Sequence, residues 1–179
     1  MVSENKEVKI LNIASGSARA VLESVDEMPL DNDVKLSAVF IDRNQEAISF
    51  SQQLAGNHKY QSSFKWVNDT AENFLEKEGH KTRFNTVELV GLLEYLDDEN
   101  AIEMFSIIYK TLEAGGTLIT SNITHNAEKR FISDVVGWKM IYRSTDEFTS
   151  LLISAGFDFD KMKIYYEPQR IHCVIVAQK

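Results

Sequence analysis

Apolar and polar positions along this chain fall into two alternating rhythms. Val8 to Ala14 is a near-continuous apolar run of strand length, interrupted by Lys9 and Asn12. Ser17 to Met28 then repeats its apolar positions with helical spacing, and Pro29 with Asp31, Asn32 and Asp33 marks the break. The alternation continues. Lys35 to Asp42 predicts a second strand, and Asn44 to Ala55 a second helix with Asn44 as its N-cap and Gly56-Asn57 as its stop. Phe64 to Asn68 predicts a third strand, and Thr70 caps a helix ending near Gly79. Asn85 to Val90 carries apolar residues on both faces, as a central parallel strand requires. Asp97 to Glu113 is the longest helix, with Ile102, Phe105, Ile108, Tyr109 and Leu112 on one face. Gly115-Gly116 ends it before a strand over Thr117 to Ile123.

Asn126 to Trp138 reads as a short helix plus loop. Ser144 or Thr145 caps a helix over Asp146 to Ala155, stopped by Gly156. The rhythm then changes. Lys161 to Tyr166 and Ile171 to Ala177 are strands joined by Glu167-Pro168-Gln169-Arg170, which leaves no room for a crossover helix, so they form an antiparallel hairpin. A run of βα units predicts an α/β fold with a doubly wound, mostly parallel sheet, here of seven strands closed by the hairpin. No repeat or linker divides residues 1–179, so the expectation is a single domain.

Composition narrows the function. The chain has 179 residues with 19 basic against 27 acidic, a net charge of -8. Nucleic-acid binders carry a basic face, so no nucleic-acid partner is expected. No apolar run is long enough to span a bilayer, and Met1 to Lys6 lacks the apolar core of a signal peptide. Cys173 is the only cysteine and lies in an apolar strand, which reads as an inert buried thiol. These features predict a cytoplasmic protein without a membrane partner. No cluster of His, Cys, Asp and Glu has metal-ligand spacing, so no metal is expected.

The chemistry concentrates at two places. The turn after the first strand, Ala14-Ser15-Gly16-Ser17-Ala18, is built of small residues around one glycine, and the second strand ends on Asp42. A slim turn lets backbone approach a ligand, and an acid on the next strand tip accepts from ribose hydroxyls. Together they predict a nucleoside site. An ordinary βα turn and a helix-capping aspartate are the bland alternatives.

The layout resembles the class I S-adenosylmethionine-dependent methyltransferases along nearly the whole chain. That family's first motif is D-x-G-x-G-x-G, matched by Asn12-Ile13-Ala14-Ser15-Gly16-Ser17-Ala18, with Asn12 for the acid and Gly16 alone of the three glycines. Leu112-Glu113-Ala114-Gly115-Gly116-Thr117-Leu118 matches L-x-P-G-G-x-L, and Ala155-Gly156-Phe157 matches A-G-F. The resemblance implies S-adenosyl-L-methionine as cofactor, bound by Asn12, Ala14, Ser15, Gly16, Ser17, Asp42, Arg43, Asp69, Thr70, Val90 and Gly91. Asn12 stands where the family's acid helps hold the methionine amino end. Asp42 would bind the ribose hydroxyls. Asp69 and the Thr70 N–H would meet the adenine, with a simple N-cap as the alternative reading. Arg43 borders the nucleoside and also reads as a plain surface charge.

A narrower likeness rests on Ser17-Ala18-Arg19, Gly91-Leu92-Leu93-Glu94-Tyr95-Leu96 and Trp138-Lys139-Met140-Ile141-Tyr142-Arg143. They are similar to the G-P-A-R, G-L-F-D-Y-L and W-x-L-I-Y-R signatures of a bacterial subgroup associated with methyl esters of 3-hydroxy fatty acids. Members often carry a further N-terminal region, so by this likeness the chain lacks it or is a piece of something longer. The implied partner is a small-molecule acceptor, and the chain would act as a monomer or homodimer. Arg19 suits an acceptor carboxylate, or a surface ion pair. Tyr95 would wall the acceptor pocket. His125 or Glu94 would serve as base for an amine or hydroxyl, whereas a carboxylate is already ionised and needs none. Trp138, Tyr142 and Arg143 form a lid or acceptor wall, or pack the last helix. The runner-up reading is a degenerate methyltransferase fold that binds a nucleoside, or serves as a scaffold, without catalysis. A nicotinamide dehydrogenase is disfavoured, because the turn lacks G-x-G-x-x-G.

Overall fold

The computed structural model describes residues 7–28, 34–79 and 81–179. Among these residues are seven strands and six α-helices: β1 (Glu7–Ile13), α1 (Arg19–Glu27), β2 (Lys35–Asp42), α2 (Gln45–Leu54), β3 (Phe64–Asn68), α3 (Ala71–Glu78), β4 (Phe84–Leu89), α4 (Asp98–Thr111), β5 (Leu112–Ile123), α5 (Lys129–Asp134), α6 (Thr145–Ser154), β6 (Met162–Tyr166) and β7 (His172–Gln178). They form one sheet in the order β3-β2-β1-β4-β5-β7-β6. β1 to β5 pair in parallel, and β7 runs antiparallel to both β5 and β6. This is the α/β Rossmann-like architecture expected from the alternating rhythm, with the hairpin closing one edge. The break at Pro29 and Asp31 to Asp33 lies outside the described residues.

The sheet separates two apolar clusters. Leu11, Ile13, Val87, Leu89 and Leu118 pack against Phe74, Phe105, Ile108, Phe148 and Leu152 from α3, α4 and α6. On the other face Ile10, Ala38, Phe40 and Phe64 meet Val21, Leu22 and Val25 of α1. Residues adjacent in a strand thus serve opposite faces, which is why the central strands read as continuous apolar runs. Cys173 is buried in the first cluster, where desolvation raises its thiol pKa.

Helix starts follow the capping chemistry. Asn44, Thr70, Asp97 and Ser144 each accept a backbone N–H of the turn they open, and Ser144 forms a full capping box with Glu147. One boundary differs from expectation. α4 stops at Thr111, and Gly115-Gly116 do not end it; they lie inside β5, which begins at Leu112. The register of β5 against β4 shifts between Phe84 and Thr86, so the glycines belong to a bulge. A Cβ on Gly116 would stand 3.0 Å from the Glu113 carbonyl oxygen and 3.1 Å from that of Phe84. Close approach to the neighbouring strand requires the glycine, not helix termination.

The parallel strands place their carboxyl ends along one edge. The chain leaves β1 toward β2 on one side and returns to β4 on the other, so the switch in strand order falls between β1 and β4. Ligands of open α/β sheets bind in the crevice at that point.

Candidate functional site

The turn after β1 carries an unusual backbone. Ala14, Gly16 and Ala18 take φ values of 53°, 51° and 54°, so every second residue is left-handed. The two alanines hold this conformation despite a cost of about 1–2 kcal/mol each. The slim turn expected of three glycines is present with one. Its N–H groups are tied to the next strand: Ser15 N donates to Ile41 O at 2.9 Å and Gly16 N to Asp42 Oδ2 at 2.8 Å.

Asp42 fastens two loops at once. Its Oδ1 accepts from Asn44 N at 2.8 Å, at the start of α2, while Oδ2 holds Gly16. A carboxylate offers about four lone-pair positions, so both oxygens keep capacity for a further donor. Asp69 is engaged similarly at the tip of β3. Its Oδ1 accepts from Thr70 N at 2.9 Å and Asn73 Nδ2 at 3.0 Å, and Lys77 Nζ lies 3.4 Å from Oδ2. The Asn73 and Thr70 hydrogen bonds hold its carboxyl below the usual range. The Thr70 N–H, expected to meet a ring nitrogen, is taken by Asp69 because this tip makes its own cap before any ligand arrives.

These tips surround a cleft of ≈390 Å³. Ala14, Asp42, Arg43, Asp69, Thr70 and Gly91 line it, joined by Tyr95 and Leu96. Gly91 is left-handed at φ 79°, and a Cβ there would meet nothing within 4 Å, so conformation rather than space favours glycine. Ala14 also borders a smaller pocket of ≈170 Å³, shared with Asn12, Ser15, Ser17, Arg19, Glu88 and Val90. The predicted cofactor residues other than Gly16, which lines neither space, therefore divide between two adjoining spaces that share Ala14.

Glu88 escaped the sequence reading. It lies in β4 directly beside Asn12 of β1 and accepts a hydrogen bond from Asn12 Nδ2. Burial pushes its carboxyl pKa up, and the Asn12 hydrogen bond opposes that shift. The available signal was an acid set among the apolar residues Val87, Leu89 and Val90 of the strand expected over Asn85 to Val90. Asn12 is buried, and its Oδ1 has no partner; the Ser15 hydroxyl oxygen is likewise buried and unpartnered.

The predicted acceptor residues go to different places. Tyr95 lines the cleft and accepts a hydrogen bond from Trp138 Nε1 at 2.8 Å, tying the segment after α5 to the cleft wall. Glu94 is buried beneath, with Oε2 unpartnered and its pKa raised by burial. His125 is exposed, lies 3.9 Å from Glu147 and stacks on Tyr142; it does not line the cleft. Arg19 is exposed at the start of α1, loosely paired with Glu23 at 3.8 Å. Arg143 is 3% exposed and packs inside: it donates to Asp98, Asn122 Oδ1 and the carbonyls of Leu93 and Leu96. It is an anchor of the fold, not a wall of the cleft. No group of three His, Cys, Asp or Glu residues able to hold a metal occurs among the described residues. No helix among them is long and apolar enough to cross a membrane.

Solved structures share the fold at low identity. The CurJ carbon methyltransferase superposes with a TM-score of 0.76 at 15% identity, over 99% of this chain and 50% of its own. The dimethyltransferase RosA of Streptomyces davawensis, acting on 8-amino-8-demethyl-D-riboflavin, gives 0.73 at 15%, over 96% and 49%. Human N-acetylserotonin methyltransferase, crystallised with S-adenosylmethionine, gives 0.69 at 15%, over 96% and 47%. The chain thus spans about half the length of these proteins. No curated protein matches the sequence. A family model does, over residues 1–179. With the seven-stranded topology and the cleft at its switch point, that match places the chain in the enzyme family described as "Putative methyltransferase".

Proposed function

We propose that this chain binds S-adenosylmethionine across the two adjoining spaces and transfers its methyl group to the carboxylate of a small molecule with an apolar body. The observation that carries the reading is the convergence of the β1, β2, β3 and β4 tips on one cleft through Ala14, Asp42, Asp69 and Gly91. Asp42 would accept from the ribose hydroxyls with its remaining lone pairs, and Asp69 and Arg43 would border the base. The residues fit such a ligand: Asn12 Oδ1, an acceptor, and the Ser15 hydroxyl are buried without hydrogen-bond partners. When bound, the cofactor supplies an electrophilic sulfonium methyl carbon.

The chain's own residues then align and exclude water. An ionised carboxylate needs no proton removed. This agrees with the surroundings of Tyr95, because His125 points to Glu147 and Tyr142 instead of the cleft. Phe131, Val135, Val136 and Trp138 are large apolar side chains left exposed on and after α5, and Trp138 is bonded to Tyr95. Such a segment suits an acceptor with an acyl chain better than one with a polar body. A 3-hydroxy fatty acid has the required parts. The test is transfer of labelled methyl from S-adenosylmethionine to a panel of 3-hydroxy fatty acids, amines and phenols. Label in a base-labile ester supports the proposal; label only in amines or phenols overturns the carboxylate acceptor. Uptake of cofactor with no transfer to any class favours the binding module.

A further inference from the structure

The position that matches the family's acid is Asn12, which carries no charge. The carboxylate has not left the site. It stands one strand away, on Glu88, at the register position paired with Asn12. In parallel strands, paired residues project to the same face, and here the two side chains are hydrogen-bonded.

The small pocket around them has a definite chemistry. Glu88, Asn12 and Ser15 line it, and Asn12 Oδ1 and Ser15 Oγ are buried without partners. Glu88 has no Lys, Arg or His partner among the described residues, and Asn12 is its single hydrogen-bond donor there. A partly buried carboxylate beside a free amide oxygen, with no Lys, Arg or His paired to it, lacks a cationic donor. An ammonium group, with three N–H donors and one positive charge, satisfies that set. Arg19 lines the same pocket with an exposed guanidinium, which suits a carboxylate. Ammonium and carboxylate together describe the end of an α-amino acid, and the pocket meets the nucleoside cleft at Ala14.

We infer that Glu88, acting with Asn12, is the group that binds the α-ammonium of the cofactor's methionine end, so that the anionic role has crossed from β1 to β4. This rests on the cofactor reading above. It assigns a residue that the motif does not contain, and it explains how the motif tolerates Asn12. Burial, which raises the Glu88 pKa in the free protein, is offset when the ammonium arrives.

The test compares two ligands by calorimetry. S-adenosylhomocysteine carries the amino-acid end; 5′-methylthioadenosine keeps the adenosine and thioether but lacks it. Glu88→Gln should weaken S-adenosylhomocysteine about tenfold or more, as expected for a lost charged hydrogen bond, and leave methylthioadenosine within about twofold. The exchange variant Asn12→Asp/Glu88→Gln, which returns the charge to β1, should recover most of the lost affinity. Equal affinity of Glu88→Gln and the parent for S-adenosylhomocysteine overturns the inference. So does parallel loss of both ligands without recovery in the exchange variant, which marks a merely structural role. If the parent protein binds neither ligand, the cofactor reading itself fails, and the inference with it.

Discussion

The two halves of the sheet's carboxyl edge are fastened by charges of opposite sign. At the tips of β1, β2 and β3, carboxylates collect backbone N–H groups: Asp42 ties Gly16 to Asn44, and Asp69 accepts from Thr70, the cap of α3. At the tips of β4 and β5, a guanidinium collects oxygens: Arg143 spans Leu93, Leu96, Asn122 and Asp98. The first arrangement suits helix N-termini, whose N–H groups are free. The second suits strand ends and a 3-10 turn, where carbonyls are left over. The difference matters for ligands. The anionic clips line the cleft, whereas the buried cation spends its donors inward and leaves Tyr95, bonded to Trp138, at the cleft wall.

The contrast can be broken most severely at Arg143. Arg143→Met should cost about 3–5 kcal/mol in urea unfolding, because several buried acceptors lose their donor together. A loss under about 1 kcal/mol would mean that water replaces the guanidinium and that the cationic clip is incidental.

Asp42→Ala should act on the ligand as well as the loops. S-adenosylhomocysteine affinity should fall about tenfold or more, the worth of one charged hydrogen-bonding partner. Calorimetry that finds unchanged affinity would remove Asp42 from the site and reduce it to a clip.

Glu94 sharpens the comparison through pH. Its folded pKa is raised by burial above the ordinary value of 4.5, so ionisation opposes folding. The stability associated with its neutral form is complete below pH 4.5 and is lost as pH rises through the folded pKa. Glu94→Gln should therefore melt close to the parent near pH 4 and above it at pH 7–8. A melting difference that stays flat across that range would show that Glu94 ionises in the fold as readily as in the unfolded chain.

The smallest effect belongs to the turn. Ala14→Gly should relieve left-handed strain of about 1–2 kcal/mol against an entropy cost of about 0.5–1 kcal/mol. The net expectation is a gain of up to about 1.5 kcal/mol in denaturant unfolding. A loss would show that the Ala14 methyl makes contacts worth more than the strain.

How much was legible follows from range. β2 and β3 run over the residues expected of them, and Asn44, Thr70 and Ser144 cap as their side chains imply, because these features depend on neighbours a few residues away. The expected helix end at Gly115-Gly116 failed for the opposite reason: Gly116 answers to the Phe84 carbonyl on another strand. Asp42 could be placed near the turn by motif, but its grip on Gly16 needed the parallel β1–β2 pair.

Alternating apolar rhythm, caps and a short terminal connection determined the α/β class, the parallel order of units and the closing hairpin from sequence alone. Strand register and loop contacts decided the rest. Register set Glu88 beside Asn12, while contacts between loops turned Arg143 inward and held His125 near Glu147 and Tyr142. Local free energies select elements within a few residues, whereas a site is a coincidence of distant side chains, and only the assembled sheet fixes which of them meet.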